Sequence, residues 1–436
     1  MQTSVIIPVW NGASVILDCL EALYAHSGAN LREVICVDNA STDPSAALIA
    51  QRFPQARLLR QPVNLGFAGG VNAGLDEARG ELLVLLNQDC VVQPGWLQAL
   101  IQTFAERPEF GILGCMIFNA DGSLNHTGAV IRQPEVIGEH LVDHGDARVV
   151  RRDYVTGAAF ALRRETWQAV GRFDEGYYPG YFEESDYCYR ARRKGIETAC
   201  VMEARVTHHL SGDSWRLDLV RHTADQYRMR YRFICKHLDA EALGQFFHAE
   251  QVAIQNERFF AQCIGQVVAA RDTLRALDDI LARRRADLGD TVSSVHWRQL
   301  KVGFIQIMSQ AYPQAIKVGH GQWRAIPSAV TGFLSELEAS EPNRVSAQQC
   351  IAALRQREDD ILKRLLFRAP VLDQPEPWLR RLWRLLVLRP VSAWLGRDGV
   401  LLAKLNRVSS ERWDEMVGQP DQRIAMLEML TLYGDD

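Results

Sequence analysis

The apolar run Leu82-Leu83-Val84-Leu85-Leu86 stops at Asn87-Gln88-Asp89, and a carboxylate in that position is placed for chemistry. Five apolar residues in a row read as a strand buried on both faces. The residues after it then lie at the strand's carboxyl edge, where open α/β sheets hold their ligands. A carboxylate there suits a divalent cation set against a diphosphate, because hard cations take oxygen ligands. The competing reading is an Asp that opens a turn. Two further strand ends carry polar side chains: Pro8-Val9-Trp10-Asn11-Gly12 and Asp38-Asn39-Ala40-Ser41-Thr42-Asp43. In a parallel sheet these three ends share one edge, so their side chains converge. Asp38 suits a base or ribose donor; its alternative is an N-cap or turn residue.

Asn64 to Gly74 is rich in glycine, which lets backbone approach a ligand and opens a helix whose N–H groups face phosphate. It lacks the Gly-x-Gly-x-x-Gly spacing after a strand, which disfavours a dinucleotide fold. Tyr181-Phe182-Glu183-Glu184-Ser185-Asp186 places acids at the start of a helix reaching Lys194. The helix dipole alone would favour them there. A carboxylate crowded by other acids is also pushed up in pKa and fit to act as a general base. Asp186 and Arg190 are an i,i+4 pair, which points to a structural role for Asp186. His208 and His209 fall at the end of an apolar segment, where an imidazole can ligate a metal.

These residues need a scaffold, and the first half supplies alternating strands and helices. Strands are expected over 4–9, 33–38, 56–59 and 81–86, and helices over 14–25, 44–53, 71–78 and 96–107. That order implies right-handed crossovers and a mainly parallel sheet. More apolar segments follow at 111–118, 155–162 and 198–206. After about residue 240 strand-like runs vanish. Apolar positions three or four apart run from Phe246 to Arg285, including Val252 and Phe259, and further helices are expected at 323–338, 347–367, 377–388 and 410–433. The division expected is 1–238 and 239–436. Trp378 to Arg389 is both basic and apolar, which suits an anionic membrane surface or a buried helix with arginines reaching solvent.

A chain of 436 residues is long for a single core. Its 47% hydrophobic and 23% charged residues fit a globular protein. A net charge of -4 argues against nucleic acid as a partner. Nine scattered cysteines with no Cys-x-x-Cys pair fit a reduced, cytoplasmic setting. No leader and no stretch of about 18 apolar residues is expected to anchor the chain.

Taken in order, the motifs Val5-Ile6-Ile7-Pro8-Val9-Trp10-Asn11, Val37 to Asp43, Asn64 to Gly74, Leu86-Asn87-Gln88-Asp89, Val155-Thr156-Gly157-Ala158, Val170 to Glu175, Tyr181 to Asp186 and Val206-Thr207-His208 resemble the family-two glycosyltransferases of GT-A fold. The likeness covers about residues 2–235 and is strongest to the rhamnosyltransferase branch. It implies an α/β nucleotide-sugar-binding domain followed by an all-helical region, and inverting transfer of a sugar to a hydroxyl. It implies that Pro8, Trp10, Asn11, Asp38, Asn64, Gly66 and Asn87 line the nucleotide pocket. Asp89 with His208, or else His209, would hold Mg2+ or Mn2+. Glu184 would be the base, with Glu183 and Asp186 in support, and Gly157 and Tyr181 would face the sugar or acceptor. The donor would be a dTDP-, UDP- or GDP-linked sugar. The acceptor would be a saccharide, a lipid-linked saccharide or a protein in surface polysaccharide, O-antigen or glycoprotein assembly. The expected location is cytoplasmic, at the inner face of the membrane. Peripheral membrane contact and homo-oligomerisation remain open for the helical half. Two departures from the pattern stand out. Asn87 replaces the first acid of the metal motif, so the diphosphate must supply most of the negative charge. The segment from His208 to Gly212 is one residue longer than usual, which leaves His208 and His209 both eligible. The competing functions are a nucleotidyltransferase, disfavoured because Pro8 to Gly12 carries no Lys or Arg, and a nucleotide-sugar-binding scaffold.

Overall fold

The computed structural model describes residues 1–143, 146–209, 219–290 and 292–322. The chain divides into two compact units, Met1–Gly212 and Asp213–Asp436, a break ahead of the 238/239 division expected from sequence texture. The helices expected beyond residue 322, with the basic apolar segment Trp378 to Arg389, lie outside the described residues.

The first unit is built on a ten-stranded mixed sheet. Its strands are β1 (Thr3–Val9), β2 (Leu31–Asp38), β3 (Arg57–Arg60), β4 (Leu82–Leu86), β5 (Cys90–Val92), β6 (Phe110–Asn119), β7 (Leu124–His126), β10 (Val149–Arg151), β11 (Ala159–Arg163) and β12 (Glu197–His208). Strands β8 (Ala129–Arg132) and β9 (Ile137–His140) form a separate hairpin. The order is β10-β12-β6-β11-β4-β1-β2-β3, with β5 on β12 and β7 on β6. The block β4-β1-β2-β3 is parallel throughout, β6 and β12 are parallel, and β11 runs antiparallel between β4 and β6. This is the α/β, mainly parallel class that the strand–helix alternation predicts.

Helices cover both faces. Val5, Ile7 and Val9 of β1 pack in one core with Leu82, Val84 and Leu86 of β4, against α1 (Ile16–His26), α2 (Ser45–Arg52) and α4 (Trp96–Glu106). Ile6 of β1 and Leu83 and Leu85 of β4 pack in the other, against α3 (Gly66–Glu77) and α6 (Glu183–Arg192). All five residues of β4 are fully buried, which is why its sequence does not alternate.

The glycine-rich segment departs from expectation. It is a loop only to Leu65; from Gly66 it is already helix α3, not a loop ahead of a helix at Val71. The glycines buy close packing. A Cβ on Gly74 would meet Ile6 Cγ2 at 2.3 Å and Val37 Cγ2 at 3.1 Å, so α3 lies nearer the sheet than a side chain allows. That contact offsets the roughly 1 kcal/mol that each helical glycine costs relative to alanine.

The second unit, as far as it is described, is helical: α7 (Leu219–His237), α8 (Ala240–Asn256), α9 (Phe260–Arg275), α10 (Leu277–Leu288) and α11 (Ser294–Gln322). The apolar pattern from Phe246 to Arg285 is therefore three helices. It breaks at Glu257-Arg258-Phe259, where Glu257 Oε1 accepts from the backbone N–H groups of Arg258 and Phe259, and again at Ala276. Val252 and Phe259, two of the apolar positions of that pattern, are exposed. Among the described residues no helix is long and apolar enough to cross a membrane.

Candidate active site

Register brings the sequence-predicted residues to one edge. Val9 pairs with Asp38, so the ends of β1 and β2 are level. Hydrogen bonds between these strand ends fix the loops. Asn11 Oδ1 accepts from Thr42 N at 2.8 Å, and Asn11 N donates to Ser41 Oγ at 3.1 Å. Asp38, buried, accepts from Ser41 N at 3.0 Å. Its carboxylate thus performs the turn role weighed for it, at the edge where β2 ends. Asn64 Oδ1 accepts from Asn39 Nδ2 at 3.0 Å and from Gly66 N at 2.8 Å, which ties its side chain into the start of α3. Gly66 has φ +70, and a Cβ there would meet the Tyr178 ring at 2.7 Å. Pro8 is half-buried and Trp10 is half-exposed beside them.

Two residues on this edge escaped the sequence reading. Asn39 cross-links β2 to the start of α3 through Asn64, the Gly66 carbonyl and the Leu65 N–H. Gln88 accepts from Trp10 N at 3.0 Å and donates to Trp10 O at 3.1 Å, so an amide side chain mimics a strand pairing between the ends of β1 and β4. Each falls at a position that a motif of acids and glycines leaves unweighted.

The Asp89 centre depends on a short strand. Cys90-Val91-Val92 pairs antiparallel with the end of β12, which sets His208 opposite Cys90. His208 Nε2 consequently lies 3.0 Å from Asp89 Oδ1. His209 is exposed, and its backbone N–H donates to the Asp89 carbonyl at 2.8 Å. Of the two histidines, the ring brought to the Asp89 carboxylate is His208. Two ligands at right angles around a small cation at 2.0–2.1 Å stand about 3.0 Å apart, so the separation of this pair is one that a divalent ion can bridge. Cys90 Sγ lies with them, but its thiol is fully buried and donates to Ala158 O at 3.3 Å. One carboxylate and one imidazole leave the remaining coordination to oxygens from elsewhere.

The acid pair begins α6 in a strained turn. Tyr181 has φ 81 and Phe182 φ 68, consecutive non-glycine residues in the left-handed region. Strain of this kind persists where surrounding structure holds it, and it clusters at functional sites. Here it sets the direction in which Glu183 and Glu184 leave the backbone. Glu184 Oε1 accepts from Gly157 N at 3.3 Å, while Glu184 Oε2 is buried without a hydrogen-bond partner. Burial pushes the Glu184 carboxyl above the usual carboxylate range, against the hydrogen bonds from backbone N–H groups. Burial pushes Glu183 up further, with the charge of Glu184 adding to it. Tyr181 is exposed nearby and Tyr177 is fully buried.

Asp186 is engaged elsewhere. Its carboxylate accepts from Arg190 Nε at 2.8 Å with both side chains fully buried, and Arg190 also donates to the carbonyls of Val170 and Arg172. Removing one partner of such a pair is costly. Arg190→Met is expected to lower unfolding stability by about 3–5 kcal/mol. Adding Asp186→Leu should recover most of it, as read by denaturant titration.

The segment Thr156-Gly157-Ala158 joins the two centres. Gly157 N donates to Glu184, and the carbonyl of the following residue, Ala158 O, accepts from Asn87 N at 3.0 Å and from Cys90 Sγ. The base candidate and the Asn87–Asp89 motif thus hang from adjacent residues, Gly157 and Ala158.

With this geometry in place, residues 4–161 match the family model described as glycosyl transferase family 2. The first unit carries a family-2 glycosyltransferase domain. Over 236 residues the chain is 29% identical to the O-antigen biosynthesis protein RfbC of Myxococcus xanthus, covering 50% of this chain and 18% of that protein. Over 228 residues it is 28% identical to the N-acetylglucosaminyl-diphospho-decaprenol L-rhamnosyltransferase of Mycobacterium tuberculosis, covering 46% of this chain and 74% of that one. The chain spans 24% or less of the length of some curated relatives that it matches. A crystal structure of GalNAc-T7 with UDP, GalNAc and Mn2+ superposes with a TM-score of 0.48 at 15% identity, over 59% of this chain and 51% of that one. The family assignment favours the glycosyltransferase reading over a nucleotidyltransferase or a scaffold. The match ends inside β11, so Glu184 and His208 belong to the part of the glycosyltransferase unit that the family model does not reach.

Proposed function

We propose that this protein transfers a sugar from a nucleoside-diphosphate donor to a hydroxyl acceptor with inversion of the anomeric centre. The observation that carries it is the link through Gly157 and Ala158, which ties a buried, proton-seeking carboxylate to the edge bearing Asp89 and His208. Asp38, Asn11 and the start of α3 would receive the nucleoside, and Asp89 with His208 would hold the divalent cation. That cation, when bound, supplies positive charge against the departing diphosphate. Glu184 takes the proton of the acceptor hydroxyl. The hydroxyl oxygen bonds to the anomeric carbon as the bond to the diphosphate oxygen breaks on the opposite face. A single displacement inverts the configuration.

A lipid-linked saccharide is the acceptor we favour, because the mycobacterial relative, matched over 74% of its length, is by its name a transferase to a diphospho-decaprenol sugar. The described cysteines are free and buried, which supports a reducing, cytoplasmic setting at the membrane face. The helical unit is the part we assign to the acceptor, the membrane surface or self-association.

The test offers the full chain dTDP-L-rhamnose, UDP-N-acetylglucosamine and GDP-mannose, each with Mn2+, and measures release of the nucleoside diphosphate. One donor is expected to turn over and to stop when EDTA is added. Failure of all three both to turn over and to raise the melting temperature would remove the donor assignment.

A further inference from the structure

One buried histidine beside the segment Thr156-Gly157-Ala158 has no part in the chemistry above. His126 ends the three-residue strand β7, pairs with Ile117 of β6 and is fully buried. Its Nε2 accepts the backbone N–H of Thr156 at 3.3 Å. Thr156 is the first residue of the segment that carries Glu184 and the Asn87 motif. The next N–H, of Gly157, donates to Glu184 Oε1, and Ala158 N donates back to Thr156 Oγ1 at 3.3 Å. The segment is therefore gripped on one side by β4 through Ala158 O and on the other by an imidazole.

The ring must be neutral to accept there, since a protonated imidazole only donates. Burial pushes its pKa down to about 3, with the positive charges of His140 and Arg152 acting in the same direction. The His140 ring stands edge-on at 4.6 Å and excludes water from that side. Accepting at Nε2 places the ring proton on Nδ1, and Nδ1 is buried with no hydrogen-bond partner in the structure. An unpartnered buried donor is costly, and a residue kept only for packing would avoid that cost. The acceptor function at Nε2 is what the ring supplies in return.

We propose that His126 is a positioning residue for sugar transfer, holding Thr156-Gly157-Ala158 so that Gly157 donates to Glu184 while Ala158 stays bonded to Asn87. The inference rests on Glu184 being the base. Besides the Gly157 N–H, the ionisable groups around Glu184 are Glu183 beside it on α6, Cys188 one turn on, and Tyr154 from the segment before β11. None of these changes when His126 is replaced. Loss of the grip loosens the Gly157 bond, and that bond favours the ionised carboxylate.

The test titrates the full chain labelled with [5-13C]glutamate, the Glu184 signal being assigned by its absence in Glu184→Gln. His126→Phe fills the volume but cannot accept. It is expected to raise the Glu184 midpoint by about half a unit to one unit, the equivalent of one weak hydrogen bond. His126→Gln, whose amide reaches the place of Nε2, should return the midpoint to the wild-type value. Where a donor turns over, His126→Phe should lower kcat about tenfold with the donor KM unchanged, since small misplacements near the reacting groups act on the chemical step. An unmoved midpoint in His126→Phe, or an equal rise in His126→Gln, would overturn the proposal. Should His126→Phe fail to fold, His126→Asn takes its place: its amide is one bond too short, so a midpoint matching that of His126→Gln overturns the proposal equally. Retained transfer in Glu184→Gln removes the base assignment and the positioning role with it. An inactive Glu184→Gln beside an unmoved His126→Phe midpoint removes the positioning role alone.

Discussion

Glu184→Gln is expected to cut transfer by about 10²- to 10⁴-fold while nucleoside diphosphate binding stays nearly unchanged. The amide is isosteric and keeps the oxygen that accepts from Gly157 N, so α6 and the strained turn before it should be undisturbed. What is lost is the site for the acceptor's proton. Equal loss of binding and transfer would place Glu184 in the donor pocket instead and sink the assignment. The raised pKa gives the pH dependence its sign. A base works when ionised, so the wild-type rate should fall as pH drops through a midpoint above the ordinary carboxylate range. The residual rate of Glu184→Gln should lack that limb.

The same shift bears on stability. A carboxyl whose folded pKa is raised binds more protons in the native state between its unfolded and folded values. Its contribution to stability is fully present below the unfolded value and is lost as pH rises through the folded one. Both Glu183 and Glu184 have raised values, so the native protein bears their burial most heavily at neutral pH and above. Glu184→Gln should accordingly melt higher than wild type at neutral pH, with the gap closing as pH falls. Calorimetric scans at several pH values check this, and a gap that widens on acidification contradicts it.

The parts of this architecture that sequence could reveal are those encoded locally. The unbroken apolar run of β4 announces a strand buried on two faces, and the polar residues after β1, β2 and β4 mark the edge where they end. Glu183 and Glu184 are legible as the first turn of a helix. The rest depends on pairings between distant residues. Nothing in Cys90-Val91-Val92 identifies a three-residue strand, yet its pairing with β12 is what brings His208 rather than His209 to Asp89. The run from Gly66 to Gly74 carries the glycine content of a ligand loop, but it is a helix, and its Gly74 answers to Ile6 and Val37 beneath it. His126 reads as an ordinary histidine until β7 and the Thr156 N–H are placed beside each other. Local composition thus locates the edge of the sheet, and register decides which side chains meet there.

Register also sets the expectation for the metal. Asp89→Ala is expected to lower transfer by about 10²- to 10³-fold, the several kcal/mol that a cation's charge contributes against a leaving diphosphate. Asn87 supplies no charge, so Asp89 is the one carboxylate of its motif, and the His208 imidazole lies 3.0 Å from it. Such a pair should bind Mn2+ weakly by itself and strongly only with a nucleoside diphosphate present. Electron paramagnetic resonance of Mn2+ with the full chain, with and without UDP, dTDP and GDP, measures both states. Asp89→Ala should weaken the ternary state and should need more Mn2+ for its residual turnover. His208→Ala should do the same to a lesser degree, and His209→Ala should leave Mn2+ binding as it is, because only its backbone meets Asp89. The double variant Asp89→Ala with His208→Ala should lose little beyond Asp89→Ala, since residues that act as one unit are not additive. Tight nucleotide-independent Mn2+ binding that survives the double variant would mean that the cation sits elsewhere. The 3.0 Å contact would then be an ion pair that closes the end of β12 onto β5, with no share in catalysis.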